Sequence, residues 1–268
     1  MGLVYHLDLN KKMSQGATIA LMPGDPFRSQ TIADRISKYF GTSNKRVAWK
    51  REYCTYLAEI KKVKLLITST GIGGPSAAIA IDELAQLGVK TFIRIGTTGS
   101  IQDRLRIGDV VITSGAVRLD GASTHYAPIE YPAVAHHEVL NALIEGAKRA
   151  RVRCHVGITA SSDTFYPGEE RTDSFMKDVL RRFQGATEEL KRLHVLNYEM
   201  ESATVLTLTA SMGLKGGCVT GVINKRNGGG ITKSALGKGE ENAIKTALAA
   251  VESLIGISDE GSLTNKNT

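Results

Sequence analysis

The sequence feature that most constrains the fold is a regular alternation of two kinds of segment. Apolar runs rich in β-branched residues predict strands at residues 18–22, 63–70, 91–95, 110–117, 156–160 and 217–223. Amphipathic segments with helical period predict helices at residues 28–39, 75–87, 137–150, 202–212 and 240–254. This alternation favours an α/β fold in which helices pack on both faces of a largely buried sheet.

Proline and glycine positions support these helix limits, and the sequence indicates a single domain. Pro75 suits the first turn of a helix, and Gly88 and Gly213 follow predicted helices, where glycine readily adopts the left-handed conformation that ends them. The chain contains no internal repeat and no linker, so we expect one domain over residues 1–256. The polar segment 257–268 has little to bury, and we expect it to be a disordered tail.

Composition argues against several classes of protein. The formal charge is +7, but the basic residues are spread along the chain in short runs, which predicts a small anion rather than nucleic acid as the partner. The longest apolar stretches, such as residues 247–255, fall short of the roughly 20 residues of a membrane helix. An N-terminal segment with Asp8, Lys11 and Lys12 instead of an apolar run favours a cytoplasmic location. Three scattered cysteines predict neither disulfides nor a zinc site.

Two loops between a predicted strand and a predicted helix are candidate anion sites. Residues 24–28 open a helix, where free backbone N–H groups favour an anion and Arg28 adds a charge; the alternative is a turn with a solvated arginine. In the loop at residues 71–76, Ser76 stands where a dinucleotide-binding loop has its third glycine. Lys238 is followed by Gly239, so the sequence also lacks the phosphate loop of nucleoside-triphosphate enzymes. The sequence therefore predicts no organic cofactor.

Arg94 is the most informative charged residue, because it lies inside a strand that otherwise looks fully buried. A buried guanidinium needs a partner, and the small and hydroxyl residues at 96–100 leave room for a bound anion. A structural arginine paired to a core carboxylate is the alternative. Arg51 precedes another predicted strand and, taken alone, is a surface residue paired with Glu52.

Two further segments carry residues suited to a nucleoside. Phe165 can stack on a planar base, and Arg171 can donate to a ring carbonyl that gains negative charge; an ordinary aromatic loop is the alternative. At residues 197–202 a short strand meets a helix, and Glu199 and Glu201 would point in similar directions, which suits two ribose hydroxyls. A preference for acids at helix N-termini explains Glu201 without any ligand.

Taken in order, these motifs closely resemble those of the nucleoside phosphorylase family, and within it the uridine phosphorylases. The resemblance runs from about His6 to the last predicted helix and rests on residues 24–26, 70–76, 94–99, 118–123, 162–168 and 197–203. It implies a three-layer α/β/α sandwich with a mixed central sheet. It also implies a homo-oligomer, a dimer at least and often a hexamer, in which two protomers share each site.

The resemblance further implies a role for individual residues. Phosphate would be held by Gly24, Arg28, Arg94 and Thr97, with Arg51 supplied by the neighbouring subunit. Ribose would contact Thr98, Glu199, Met200 and Glu201, with His6 reaching across the same interface. The base would lie near Phe165, Glu169, Arg171, Ile223 and Arg226. A monovalent cation such as K⁺ would bind between subunits at Glu52, Ile72 and Ser76.

Two positions depart from the family pattern. Glu169 stands where the family usually has glutamine, and a carboxylate only accepts hydrogen bonds whereas an amide also donates. Asn224 and Lys225 are polar where the family tends to have an apolar residue beside Ile223. These departures leave the preferred base open among uracil, thymine and a purine.

The resulting hypothesis is phosphorolysis of a pyrimidine nucleoside, uridine first, to free base and ribose 1-phosphate. Arg28, Arg94, Arg171 and Glu201 would act in catalysis by positioning and electrostatics. The alternatives are a purine-type phosphorylase, a nucleosidase of the same fold, and a non-catalytic nucleoside-binding protein. The glycine-rich segment 227–239 is expected to form a mobile lid over the base.

Overall fold

The computed structural model describes residues 2–226 and 230–264, the last eight only as helical backbone. The described strands are β1 (Ile19–Pro23), β2 (Lys45–Lys50), β3 (Tyr53–Ile60), β4 (Val63–Thr68), β5 (Thr91–Ser100), β6 (Val110–Leu119), β7 (Ala133–Val134), β8 (Cys154–Ser162), β9 (Asn197–Glu199) and β10 (Lys215–Lys225). The helices are α1 (Lys11–Ser14), α2 (Pro26–Phe40), α3 (Gly74–Gln86), α4 (His137–Arg149), α5 (Ala186–Arg192), α6 (Ser202–Ser211) and α7 (Lys233–Thr264).

All ten of these strands belong to one mixed sheet. Strands β4, β1, β5 and β10 run parallel in that order, while β3 and β2 continue the sheet antiparallel beyond β4. On the other side, β10 pairs with β6, β6 with β8, β8 with β9, and β9 returns to β5. Strands β5, β10, β6, β8 and β9 therefore form a closed ring of paired strands. Within this ring, β5 and β10 end beside the β9–α6 junction.

Helices cover both faces of the sheet, as the alternation of the sequence predicts. Along β1, Ile19 and Leu21 point into a core shared with α2, α4 and α7, whereas Ala20 and Met22 point into a core shared with α3 and α6. Successive strand residues face opposite sides of a sheet, so one apolar strand serves two cores. The predicted α/β/α sandwich with a mixed sheet is confirmed.

The predicted elements are present, and the differences in their limits have physical causes. Gly88 and Gly213 have φ angles of 106° and 67°, which confirms the predicted helix ends. Strand β5 extends to Ser100, five residues past its predicted end, because it pairs with β10 and β9 there. Strand β2 was not predicted, since half of its residues are exposed, none is buried, and it carries no apolar alternation.

The glycine-rich segment predicted to be a lid is mostly helix. Residues 227–229 lie outside the described residues, but α7 begins at Lys233 and includes Gly237 and Gly239. A Cβ added at Gly221 of β10 would collide with the backbone of Gly239, so these glycines let α7 lie directly on the strand. For residues 233–239 the lid prediction is therefore wrong.

The last helix extends beyond residue 256. Helix α7 continues to Thr264, past the predicted end of the domain at residue 256, and residues 265–268 lie outside the described residues. Along the described helices, no segment combines the length and the apolar character needed to cross a membrane.

Candidate active site

A single large cavity of about 740 Å³ collects most of the residues that the sequence predicts to act. It lies where β1, β5 and β10 end, next to the β9–α6 junction and the loop after β8. Ligands of open α/β sheets bind at such carboxyl ends of strands. The predicted residues that line it are Gly24, Arg28, Glu52, Ile72, Ser76, Arg94, Thr97, Thr98, Phe165, Glu169, Arg171, Glu199, Met200, Glu201, Ile223 and Arg226.

Two neighbouring loops form one wall of the cavity. Asp25 caps α2 by accepting from the backbone N–H of Phe27 at 2.9 Å, and Pro26 opens the helix. The backbone N–H of Gly71 donates to the carbonyl of Gly24 at 3.0 Å, so the β1–α2 and β4–α3 loops lie side by side. A Cβ at Gly24 would lie 3.2 Å from the carbonyl oxygen of Gly71, so a small residue suits this position.

Arg28 projects from the first turns of α2 into this part of the cavity. Its side chain is 11% exposed, and one terminal nitrogen forms an ion pair with Glu240 of α7. Its Nε is buried and has no hydrogen-bond partner among the described residues. A buried donor without an acceptor is costly, so this N–H is suited to donate to a ligand oxygen.

Arg94 lies in β5, also lines the cavity and is 5% exposed. Its Nε donates to Glu199 Oε2 at 2.8 Å, and a terminal nitrogen forms an ion pair with Glu201. Burial alone would lower the pKa of Arg94, but the two carboxylates outweigh it and raise the pKa. The structural alternative, an arginine paired to core carboxylates, is therefore present, and Arg94 does not depend on an external anion.

Glu199 and Glu201 are held in place by backbone donors. The N–H groups of Glu201 and Ser202 donate to Glu199, and the N–H of Gly73 donates to Glu201 Oε1 at 2.6 Å. The two side chains point to the same guanidinium, in agreement with the predicted common direction. Burial raises the pKa of Glu201, an effect that Arg94 partly opposes.

Thr97 and Thr98 of β5 have different surroundings. Thr98 is buried; its hydroxyl donates to the carbonyl of Tyr198 at 2.5 Å and accepts from the amide of Asn197 at 2.7 Å. Thr97 lies on the other face of the strand, the side that carries α2 and Arg28. Within the described residues its hydroxyl makes no hydrogen bond, and it lines the cavity.

The other end of the cavity is aromatic and cationic. The guanidinium of Arg171 lies over the ring of Phe165, 4.3 Å from its centroid, and donates to both carboxylate oxygens of Asp173 at 3.0 and 2.7 Å. Arg226 lies over the ring of Tyr198 at 5.7 Å and donates to the backbone carbonyl of Glu169. One face of Phe165 is therefore covered by Arg171 and not by a base.

Glu169 also lies at the aromatic and cationic end of the cavity, where the family usually has glutamine. It is 5% exposed, and burial raises its pKa from 4.5 to about 7, although Arg226 and Arg171 oppose this. Asn224 also lines the cavity and is buried, with its side chain against Gly99. Of the residues that depart from the family pattern, Glu169 and Asn224 thus lie in the same cavity.

Two predicted residues lie outside the cavity of their own protomer. Arg51 is exposed at the turn between β2 and β3, with a φ angle of 56°. His6 lies near the N-terminus, where its Nδ1 is 2.7 Å from Glu83 Oε1. The sequence assigns both to the site of a neighbouring subunit, and that assignment stays a prediction.

The predicted cation ligands lie together on the cavity wall. The hydroxyl of Ser76 is 3.1 Å from the carbonyl oxygen of Ile72, and the side chain of Glu52 packs against Gly71. A carboxylate, a carbonyl and a hydroxyl are oxygen ligands that fit a hard cation. In the part of the chain that the structure describes, no cluster of three His, Cys, Asp or Glu side chains is arranged for a metal ion.

The sequence reasoning missed some residues of this site. Glu240, the partner of Arg28, lies on a predicted helix, and no local signal indicates that it would meet a residue more than 200 positions away. Tyr198 lies within the motif at residues 197–203, but its role as a platform for Arg226 depends on the pairing of both β9 and β10 with β5.

Comparison with known proteins places this site in a family. The chain matches the phosphorylase superfamily over residues 18–256. It is 49% identical over 253 residues to a uridine phosphorylase of Escherichia coli, covering 94% of this chain and 98% of the relative. It is 47% identical over 257 residues to one of Haemophilus influenzae (95% and 100% covered) and 43% identical over 255 residues to one of Thermococcus kodakarensis (94% and 87% covered). With a match of this extent, the chain belongs to the phosphorylase superfamily.

Proposed function

We propose that this protein is a uridine phosphorylase, which transfers the ribosyl group of uridine to inorganic phosphate and releases uracil and ribose 1-phosphate. The observation that carries the proposal is one cavity with an unsatisfied arginine donor at one end and an aromatic, arginine-lined pocket at the other. The proposal agrees with the names of the relatives from E. coli and H. influenzae.

Arg28 is the centre of the phosphate site in this proposal. Its buried Nε lacks an acceptor among the described residues, and a phosphate oxygen supplies one as a charge-assisted hydrogen bond. The hydroxyl of Thr97 and the backbone of Gly24 lie on the same side of the cavity. Arg94 lines the same cavity and would donate a hydrogen bond to the phosphate while two of its nitrogens stay paired with Glu199 and Glu201.

Glu199 and Glu201 face the centre of the cavity, where the ribose would lie between phosphate and base. Glu199 Oε1 and Glu201 Oε1 each accept one backbone N–H, so each has a lone pair left that accepts from a ribose hydroxyl while the carboxylates stay paired with Arg94. Met200, between them, supplies an apolar contact for the sugar ring, and Thr98 lies behind it.

The base would lie at the end formed by Phe165, Ile223, Arg171 and Arg226. In the reaction, a phosphate oxygen forms a bond to C1′ on the face opposite the base, while the C1′–N1 bond breaks and its electrons enter the uracil ring. Arg171 stabilises the negative charge that grows on the ring carbonyl, and the departing base takes up the proton that the attacking hydrogen phosphate ion releases. No protein nucleophile takes part, so catalysis depends on positioning.

The proposal includes an oligomer with shared sites, a dimer at least and a hexamer in its full form. Arg51 and His6, outside the cavity of their own protomer, would complete the phosphate and ribose sites of a neighbour. Phe27, Trp49 and Ile72 are exposed near the cavity, with 69%, 44% and 77% of their surfaces accessible. Apolar surface of this kind is typical of an interface.

Two further parts of the proposal concern the surroundings of the site. A monovalent cation at Glu52, Ile72 and Ser76 would have its coordination completed by a second subunit and would hold the β4–α3 loop against the interface. It would supply no reacting group. The cytoplasmic location expected from the sequence stays a prediction.

The direct test is to offer the purified protein uridine, thymidine and inosine, with and without phosphate, and to measure free base. Phosphate-dependent release of uracil with formation of ribose 1-phosphate is expected. Release that ignores phosphate would identify a nucleosidase, faster cleavage of inosine a purine phosphorylase, and binding without cleavage a nucleoside-binding protein.

A matched pair of variants tests the phosphate site. Arg28→Ala should lower kcat/KM for phosphate by about 10- to 100-fold, because it removes one or two charge-assisted hydrogen bonds. Arg35→Ala is the control, since Arg35 also lies on α2 and pairs with Glu241 of α7 but does not line the cavity. Equal losses in the two variants would contradict the assignment.

A further inference from the structure

Glu169 has an unusual combination of position and partners. It lines the cavity, is almost fully buried, and has its backbone carbonyl bound by Arg226, which fixes its location in the wall. Within the described residues, its carboxyl group accepts no hydrogen bond and forms no ion pair. A buried carboxyl group directed at a ligand site without a partner is suited to bind the ligand itself.

The charged groups around Glu169 explain why it stays unpaired. The two nearest cations are engaged elsewhere: Arg171 with Asp173, and Arg226 with the Glu169 carbonyl and the ring of Tyr198. Glu199 at the end of β9 and Glu201 at the N-terminus of α6 are also negatively charged, and their repulsion raises the pKa of Glu169. Burial and these two carboxylates favour the neutral form over the charged one.

The hydrogen-bonding edge of uracil discriminates between these two forms. It presents an acceptor, a donor and an acceptor: O2, N3–H and O4. A neutral carboxyl group has one acceptor and one donor side by side, which is the pattern of an amide, whereas a carboxylate presents two acceptors and would set one against a ring carbonyl.

We propose that Glu169 determines the base specificity of the enzyme and binds uracil as a neutral carboxylic acid. Its carbonyl oxygen accepts from N3–H, and its hydroxyl donates to the adjacent ring carbonyl. The inference rests on the proposed function, and it resolves the apparent conflict between a glutamate at this position and a uracil substrate.

Uridine binding should therefore be coupled to uptake of a proton. Because the pKa of Glu169 is about 7, most of the free enzyme is protonated at pH 6 and about a tenth at pH 8. The Kd of uridine should consequently rise about tenfold from pH 6 to pH 8. A Glu169→Gln variant carries the required donor and acceptor at every pH, so its Kd should not change.

The test is calorimetric titration of the full-length protein with uridine at pH 6 and pH 8, with sulfate in place of phosphate. Sulfate prevents turnover and does not titrate in this range. Titrations at pH 8 in buffers of different ionisation enthalpy count the protons, and the expected uptake is about one for the wild type and none for Glu169→Gln. Glu189→Gln, an exposed change on α5, is the control and should behave as the wild type.

The outcomes separate this inference from the proposed function. Uridine that binds at both pH values, and is cleaved with phosphate, but without proton uptake by the wild type overturns the role of Glu169 alone. Failure of the wild type to bind uridine at pH 6 overturns both proposals. If Glu169→Gln does not fold, proton uptake by the wild type and the pH dependence of its Kd still decide the question.

Discussion

The buried Glu169 has a consequence for stability that can be measured without any substrate. Burial raises its pKa from 4.5 to about 7. The folded protein therefore holds the proton more tightly than the unfolded chain, and the resulting stability is complete below pH 4.5 and is lost as the pH rises to about 7. In a Glu169→Gln variant no proton is involved. Its stability relative to the wild type should grow by about 2 to 3 kcal/mol between pH 5 and pH 8.

The assay is urea unfolding followed by circular dichroism at pH 5 and pH 8, with equal protein concentrations because an oligomer is stabilised by mass action. Glu189→Gln is the control, since Glu189 is exposed and should show no comparable change. A difference between Glu169→Gln and the wild type that is the same at both pH values would refute the argument. It would mean that the Glu169 carboxyl group is ionised or solvated in the folded protein.

Two further predictions concern packing and assembly. Gly221→Ala should destabilise the fold by about 1 to 3 kcal/mol because its Cβ collides with the backbone of α7, whereas Gly237→Ala, in open space on that helix, should stabilise it by about 0.5 to 1 kcal/mol. Thermal unfolding measures both changes, and a loss of stability for Gly237→Ala would contradict the helical assignment. Mixing the impaired Arg28→Ala and Arg51→Ala proteins should restore about a quarter of the wild-type activity if dimers exchange subunits at random. No recovery after subunit exchange would argue against shared sites.

Much of the fold follows from local patterns. Strands such as β1 are continuous apolar runs, and helices such as α4 have a clear apolar face, so both are visible in the sequence. Elements that depend on pairing are not visible in the same way. The segment at residues 96–100 is rich in glycine, threonine and serine and looks like a loop, yet it continues β5 because β10 and β9 pair with it.

Local patterns in the sequence also predicted many of the residues that form the site. Chain order brought Arg28 to the start of a helix after β1, and Arg94 to the middle of a buried strand, so their presence in one cavity at the carboxyl end of the sheet was expected. Their partners were not. Glu240 and Glu199 reach these arginines from distant parts of the chain, and only the packing of α7 and β9 brings them there.

The sequence by itself determined the α/β alternation, the family resemblance and the residue types available to the site, because each depends on the order of residues along the chain. Only the tertiary structure decided that Arg94 is balanced by two carboxylates, that the glycine-rich segment is mostly helix, and that Glu169 is buried without a cation of its own. Those properties depend on desolvation and on contacts between distant segments. A residue's neighbours in sequence therefore do not reveal its charge state, which here bears directly on the base that the site accepts.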